Sequence, residues 1–238
     1  MNAAATPDWI VPIVFRRQAI SRLIGPPCGR IGKTLSGRRA AVAVVLSGTG
    51  PAAPGGFPSD ASVLLIRRSA VVSHHRNEVA FPGGVIEPTD GSVVEAALRE
   101  MVEETSVAAA TVAPVVEFEE RSLFPAPFRS TPVVFYRTDQ SAITAGSAET
   151  DDVYDIRIAD LADPANRGSI RVLAANAELY RLPYFTVGDV TVWGYTAVVL
   201  SAILDAMGWS PVPPATEVNI QVWNLRRLAR TASEFSRV

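Results

Sequence analysis

The sequence predicts an α/β fold, helices around one mixed sheet, on three observations. Apolar, β-branched runs of strand length recur at Arg39–Ser47, Ala61–Ser69, Val112–Glu120 and Ser130–Thr138. A helix with its own start signal, Ser92–Thr105, falls between them, and a second apolar helical stretch, Thr191–Met207, follows them. Strands interspersed with helices argue for a layered α/β domain. At 238 residues, 48% apolar and 19% charged, the chain is long enough to bury a sizeable core.

The elements can be justified in order. Pro7–Gly25 mixes Trp9, Ile10, Ile13, Ile20 and Ile24 with arginines, which suits an amphipathic helix with Pro12 near its start; Gly25-Pro26-Pro27 ends it. Arg39–Ser47 (RAAVAVVLS) reads as a buried strand. GTGPAAPGGFPSD is a turn-rich loop, after which ASVLLIRRS resumes strand patterning. EVAFP is a short strand running into Gly83-Gly84. Ser92 and Glu95 form an S-x-x-E capping box at the head of a segment free of Gly and Pro. VAPVVEFEE and STPVVFYRT are further strands, and DDVYDIRIADL is a weaker element. The helix Thr191–Met207 precedes the break SPVPPA, and the tail VNIQVWNLRRLARTASEF fits a strand or a helix. No repeat or low-complexity block occurs.

The balance of 22 basic to 24 acidic residues supports neither nucleic acid nor an anionic membrane as main partner. A single cysteine, Cys28, excludes an internal disulfide and suits a reducing compartment. The longest apolar runs, such as Ala41–Leu46, fall well short of the roughly 20 residues a bilayer needs. The N-terminus has no basic region before its apolar part, so a signal peptide is not expected and the cytoplasm is the expected compartment.

The chemistry is concentrated in FPGGVIEPTDGSVVEAALREMVEETSV, Phe81–Val107. Helical spacing gathers Glu100, Glu103 and Glu104 on one face. Like charges so spaced cost about 0.2–0.5 kcal/mol, and negative charge near a helix C-terminus opposes its dipole by a similar amount. A divalent cation with a preference for hard oxygen ligands, Mg²⁺ or Mn²⁺, would offset that cost. A solvated acidic face is the commoner explanation of such runs. Gly83-Gly84 ahead of the helix, where backbone can approach a metal or phosphate, shifts the balance toward a metal site.

This stretch resembles the Nudix box, G-x5-E-x7-R-E-U-x-E-E-x-G-U with U apolar. Here Gly84, Asp90 and Arg99-Glu100-Met101-Val102-Glu103-Glu104-Thr105-Ser106-Val107 follow that order. The spacer before Arg99 is one residue longer, Asp90 replaces the first Glu, and Ser106 replaces the last Gly, at a cost of about 1 kcal/mol or a shifted cap. Upstream, LLIRRSAVVSHHRNEVAFPGG is similar to the coenzyme A pyrophosphatase signature LLTxRSxxxRxHxGExxFPGG. Leu64, Leu65, Arg68, Ser69, His75, Glu78, Phe81, Pro82, Gly83 and Gly84 match; Ile66, Ser73 and Asn77 depart from Thr, Arg and Gly. The resemblance covers about Arg39–Trp209.

That resemblance implies an α/β/α sandwich around a mixed sheet, with a helical arm at 1–37, the hydrolase domain at 38–209 and a tail at 210–238. It implies a metal-dependent hydrolase that cuts the diphosphate of coenzyme A or an acyl derivative. The products would be adenosine 3′,5′-bisphosphate and 4′-phosphopantetheine. Glu100, Glu103 and Glu104 would hold Mg²⁺ or Mn²⁺ with a carbonyl of Gly83 or Gly84, and Arg99 would orient the glutamates. Nudix enzymes often draw another acid from a later loop; Asp152 is the first candidate, with Glu149 and Asp151 behind it. Arg68, His75 and Arg76 are candidates for substrate binding with Gly83 and Gly84, and Arg76 or Arg67 could replace the basic side chain lost at Ser73. The alternatives are another nucleoside diphosphate substrate, such as ADP-ribose or a dinucleotide, and a catalytically silent binding module. A small nucleotide, coenzyme A-like, is the expected partner, without nucleic acid or membrane; a homodimer is possible.

Other signals are weaker. PPCGRIGKT has Pro27 where a P-loop needs Gly and follows a helix, so a surface turn is the better reading. His74 and His75, adjacent on a strand, point to opposite faces and would not share a metal. His75 suits a substrate contact and a structural role equally. Cys28, without a nearby His, is expected to be inert. Trp193 and Tyr195 suit the core better than a pocket.

Overall fold

The computed structural model of the chain describes residues 6–25, 38–52, 55–70, 77–121, 129–139, 141–173, 179–210 and 216–220. In chain order the elements are α1 (Val11–Ile24), β1 (Arg39–Ser47), β2 (Ser62–Arg68), β3 (Val79–Ala80), β4 (Gly83–Val85), α2 (Val93–Glu104), β5 (Val112–Glu117), β6 (Arg129–Arg137), β7 (Thr150–Arg157), α3 (Ile158–Ala162), β8 (Arg167–Leu173), β9 (Leu179–Val187), β10 (Val190–Val192), α4 (Gly194–Met207) and β11 (Thr216–Ile220).

The apolar run at Arg39–Ser47 becomes the central strand. β1 pairs in parallel with β6 along its full length, Arg39 opposite Arg129 through Ser47 opposite Arg137. On its other side it pairs antiparallel with β2 at one end and β4 at the other. The order β3-β2-β1-β6-β5, with β7 on β2 and β4 on β1, makes a mixed sheet.

Because strand side chains alternate between faces, β1 serves two cores. Ala41, Ala43 and Val45 join Leu64, Val133 and Phe135 beneath Ala96, Ala97 and Met101 of α2. Val44 and Leu46 join Val63, Leu65 and Val134 on the other face, with Ile13, Ile20 and Ile24 of α1 and Val199, Ala202 and Ile203 of α4. Helices therefore cover both faces, and the α/β/α sandwich expected of the sequence is what forms. Small residues on the α2 side let that helix sit close to the strand carrying the site.

Three local readings are corrected, and a fourth, left open between strand and helix, is resolved for its first residues. Gly83-Gly84 does not end a strand but forms β4, with Gly83 opposite Val42 and Gly84 opposite Ala41. Residues 190–192 are strand rather than helix, so the last helix begins at Gly194 behind Trp193. A second sheet, β10-β9-β8-β11, stands beside the first, where the sequence predicts only one. The tail contributes to it: Thr216–Ile220 pairs in parallel with Gly168–Val172. Phe185, Val190 and Val192 tie this sheet to the α1–α4 core. No described helix is long and apolar enough to cross a membrane.

Candidate active site

The start of α2 follows from its sequence. Ser92 Oγ accepts the Glu95 backbone N–H at 3.1 Å, and the Glu95 carboxylate reaches back to the Gly91 N–H at 3.0 Å, a capping box displaced by one residue. The helix ends without a left-handed glycine. Thr105 is extended (φ −132°) and its hydroxyl donates to Met101 O at 2.7 Å. Ser106, where the box has Gly, exchanges bonds with Thr144: its N–H donates to Thr144 O and its Oγ accepts the Thr144 N–H, both at 2.9 Å. The cap has shifted, and the loop after β6 closes the helix end, with the Gly146 N–H donating to Glu104 O at 3.1 Å.

One turn of α2 presents the three carboxylates, and each has a partner. Arg99 is the hub. Its Nε and Nη2 clasp Asp90 at 2.9 and 3.0 Å, Nη1 reaches Glu100 at 2.9 Å and Glu103 at 3.3 Å, and Nη2 also donates to Val85 O at 3.2 Å. Arg99 holds the Asp90 carboxyl below the usual carboxylate range, and Asp90 in turn fixes the guanidinium. Burial pushes the Glu100 carboxyl upward, with Arg99 working against it. Glu100 lies over Gly84, where a Cβ would come within 2.4 Å of its oxygen.

Glu104 is the most enclosed, 4% exposed. It accepts the Gly83 N–H at 2.8 Å and pairs with Arg68 Nη1 at 3.1 Å. Burial nonetheless drives its carboxyl up to about 7. Arg68 also approaches Glu149 through Nη2 at 3.8 Å, so it bridges β7's leading loop and α2.

Thus Glu100, Glu103, Glu104, Arg99, Arg68, Gly83 and Gly84 come together. His75 and Arg76, with Ser73, His74 and the PPCGRIGKT stretch, lie outside the described residues. Asp152 does not join the group. It pairs with Arg67 at 3.3 Å and accepts from Tyr154 OH at 3.2 Å, on the strand face shared with Tyr154 and Ile156, away from α2. A register shift between Arg67 and Arg68 separates the two faces' partners. The acid that reaches Arg68 is Glu149, which the sequence ranks second. Arg67 is likewise turned away, its guanidinium 5.3 Å from the Tyr154 ring centroid. Asn77 stands in the left-handed region at φ +59°, where the signature has Gly. Asn accepts that conformation better than most residues, so the turn keeps its shape despite the substitution.

The donor set suits a hard divalent cation: carboxylate oxygens from one helix face beside a glycine strand with no side chain in the way. With these carboxylates turned onto Arg68, Arg99 and the Gly83 N–H, no three His, Cys, Asp or Glu side chains among the described residues are gathered tightly enough to hold an ion.

The family model described as NUDIX domain matches residues 37–175, more than half of the chain. A Mus musculus protein described as mitochondrial coenzyme A diphosphatase NUDT8 is 30% identical over 145 residues, 58% of this chain and 67% of its own length. Its Homo sapiens counterpart is 30% identical over 148 residues, 60% of this chain and 61% of its own length. The chain thus spans about two thirds or less of these relatives. The crystal structure of a Nudix hydrolase from M. smegmatis, RenU, covers 74% of this chain and 88% of its own at 17% identity and a TM-score of 0.47.

Proposed function

We propose, on the premise that this chain belongs to the NUDIX family, that it is a metal-dependent diphosphate hydrolase acting on coenzyme A or its acyl derivatives. The carrying observation is the α2 carboxylate turn, braced by Arg99 and Arg68 against the Gly83-Gly84 strand. The similarity to coenzyme A diphosphatases and the signature leading from Leu64 to Gly84 favour the coenzyme over other nucleoside diphosphates. The cytoplasm remains the proposed compartment, whereas the mouse and human relatives are named as mitochondrial.

Glu100, Glu103 and Glu104, with the Gly84 carbonyl, would hold the cation, Mg²⁺ or Mn²⁺. When bound, such an ion neutralises the diphosphate and lowers the pKa of an attacking water. The chain's own residues set the stage. Asp90 fixes Arg99, which positions Glu100 and Glu103; the Gly83 N–H and Arg68 fix Glu104. Arg68, between Glu104 and Glu149, is the cation best placed to meet a substrate oxygen.

Glu104 gives the proposal a pH signature. Its folded value, about 7, lies above the ordinary 4.5. Its contribution to the stability of the metal-free protein is therefore full below pH 4.5 and lost as pH rises through about 7. Metal requires the carboxylate form, so metal stabilisation runs the other way. Millimolar Mn²⁺ should raise the unfolding midpoint more at about pH 8 than at about pH 6. Equal shifts at both values would remove Glu104 from the ligands.

Glu149→Gln is expected to lower kcat about tenfold or more, and Asp152→Asn less than about threefold, since only the former faces the α2 cluster. Steady-state kinetics on both variants checks this. A larger loss in Asp152→Asn would restore Asp152 as the distal acid.

A further inference from the structure

Thr150, the first residue of β7, is 4% exposed, and its hydroxyl is buried without a hydrogen-bond partner among the described residues. Its backbone is tied down. The Thr150 N–H donates to Ser147 O at 3.2 Å, and the Glu149 carbonyl just before it accepts the Ser69 N–H at 2.8 Å. The turn leading into it is pressed against the C-terminal end of α2, where a Cβ on Gly146 would come within 2.5 Å of Thr105 O. A buried hydroxyl left unpaired is costly, and an apolar side chain of the same shape would avoid the cost. Such a group points to a partner that another state of the site supplies.

Strand pairing identifies that partner. The register shift between Arg67 and Arg68 leaves Asp151 out of the ladder, so that Asp152 stands opposite Arg67 and Thr150 opposite Arg68. Residues directly opposite share a face, with Cβ atoms about 4.5–5.5 Å apart. Arg68 is turned toward α2, where its Nη1 meets Glu104 at 3.1 Å, so Thr150 stands on that face beside it. An unbroken register would have set Asp151 there, a carboxylate that competes for the guanidinium. Bulges next to active sites re-aim side chains in this way.

We propose that Thr150 is a positioning residue of the hydrolase, its hydroxyl accepting from the Arg68 guanidinium once Glu104 turns from Arg68 to a divalent cation. The inference rests on the metal-dependent hydrolase reading above. In the metal-free protein Glu104 occupies Nη1, and Thr150 has nothing to bind. A Glu104 carboxylate committed to a cation releases Nη1, and the hydroxyl on the neighbouring strand takes it. A neutral acceptor holds Arg68 in place without cancelling its charge, which stays available to a substrate oxygen.

The test compares wild type with Thr150→Val, which keeps the shape, and Thr150→Ser, which keeps the hydroxyl, all in the full chain. Thr150→Val should raise KM for coenzyme A about tenfold or more, with kcat changed less than about threefold, and Thr150→Ser should return KM to near the wild-type value. Without metal the unfolding midpoint of Thr150→Val should hold or rise, because an unpaired buried hydroxyl has gone. Millimolar Mn²⁺ should then raise that midpoint less than it raises those of wild type and Thr150→Ser. An unchanged KM in Thr150→Val, or equal Mn²⁺ shifts in all three proteins, overturns the proposal. So does a fall in the metal-free midpoint of Thr150→Val, which would tie the hydroxyl to the fold alone. If wild type cleaves another diphosphate and not coenzyme A, the substrate assignment has failed and KM is read on the cleaved compound. If it cleaves none, the hydrolase reading has failed, and the Mn²⁺ shifts decide the role of Thr150 alone.

Discussion

Glu103→Gln is expected to lower turnover about 100-fold or more while the protein stays folded. Glu103 is 55% exposed at its side chain and pairs with Arg99 at 3.3 Å. Its loss therefore leaves Met101, Ala97 and the packing beneath α2 untouched, and Gln can still accept from Arg99. What disappears is one negative charge on the turn that would hold the cation. Circular dichroism should match wild type, and kcat should carry the loss. Near-normal turnover would remove Glu103 from the metal site.

Gly84→Ala should have the next largest effect, a fall in activity of about 10–100-fold with little change in stability. Gly84 does not have a positive φ, so alanine fits its backbone. The added Cβ would meet Glu100 at 2.4 Å, and a side-chain carboxylate can turn away. Turning away takes it from Arg99 and from the turn it shares with Glu103. The neighbouring Gly83 supplies the contrast. A Cβ there meets Ala41 O at 2.5 Å and Val42 Cα at 2.8 Å, both backbone. Gly83→Ala should therefore lower the unfolding midpoint, because β4 must move off β1. Equal thermal losses in both variants would mean that Gly84 serves the sheet and not Glu100.

Much of the molecule was legible where one physical signal dominates. The β-branched run at Arg39–Ser47 matched the central strand residue for residue, and Ser92 with Glu95 located the helix start. The three glutamates were legible because their spacing is unfavourable without a ligand. The second sheet was not, since its strands carry mixed signals. Gly168 interrupts β8, and Pro183 in β9 lacks an N–H for pairing. β9 tolerates that proline because β10, opposite Phe185–Val187, stops short of it. That Glu149 rather than Asp152 approaches Arg68 was not legible for a tertiary reason: which face a strand residue occupies depends on pairing and bulges that spacing cannot reveal.

The central claim, cleavage of the coenzyme A diphosphate, is tested most directly by incubation with coenzyme A, ADP-ribose and a diadenosine compound, each with Mn²⁺ or Mg²⁺, and separation of the products. The expected result is adenosine 3′,5′-bisphosphate with 4′-phosphopantetheine from coenzyme A, dependent on the metal. Cleavage only of the other two would contradict the substrate assignment, and no cleavage of any would leave a binding module in place of an enzyme.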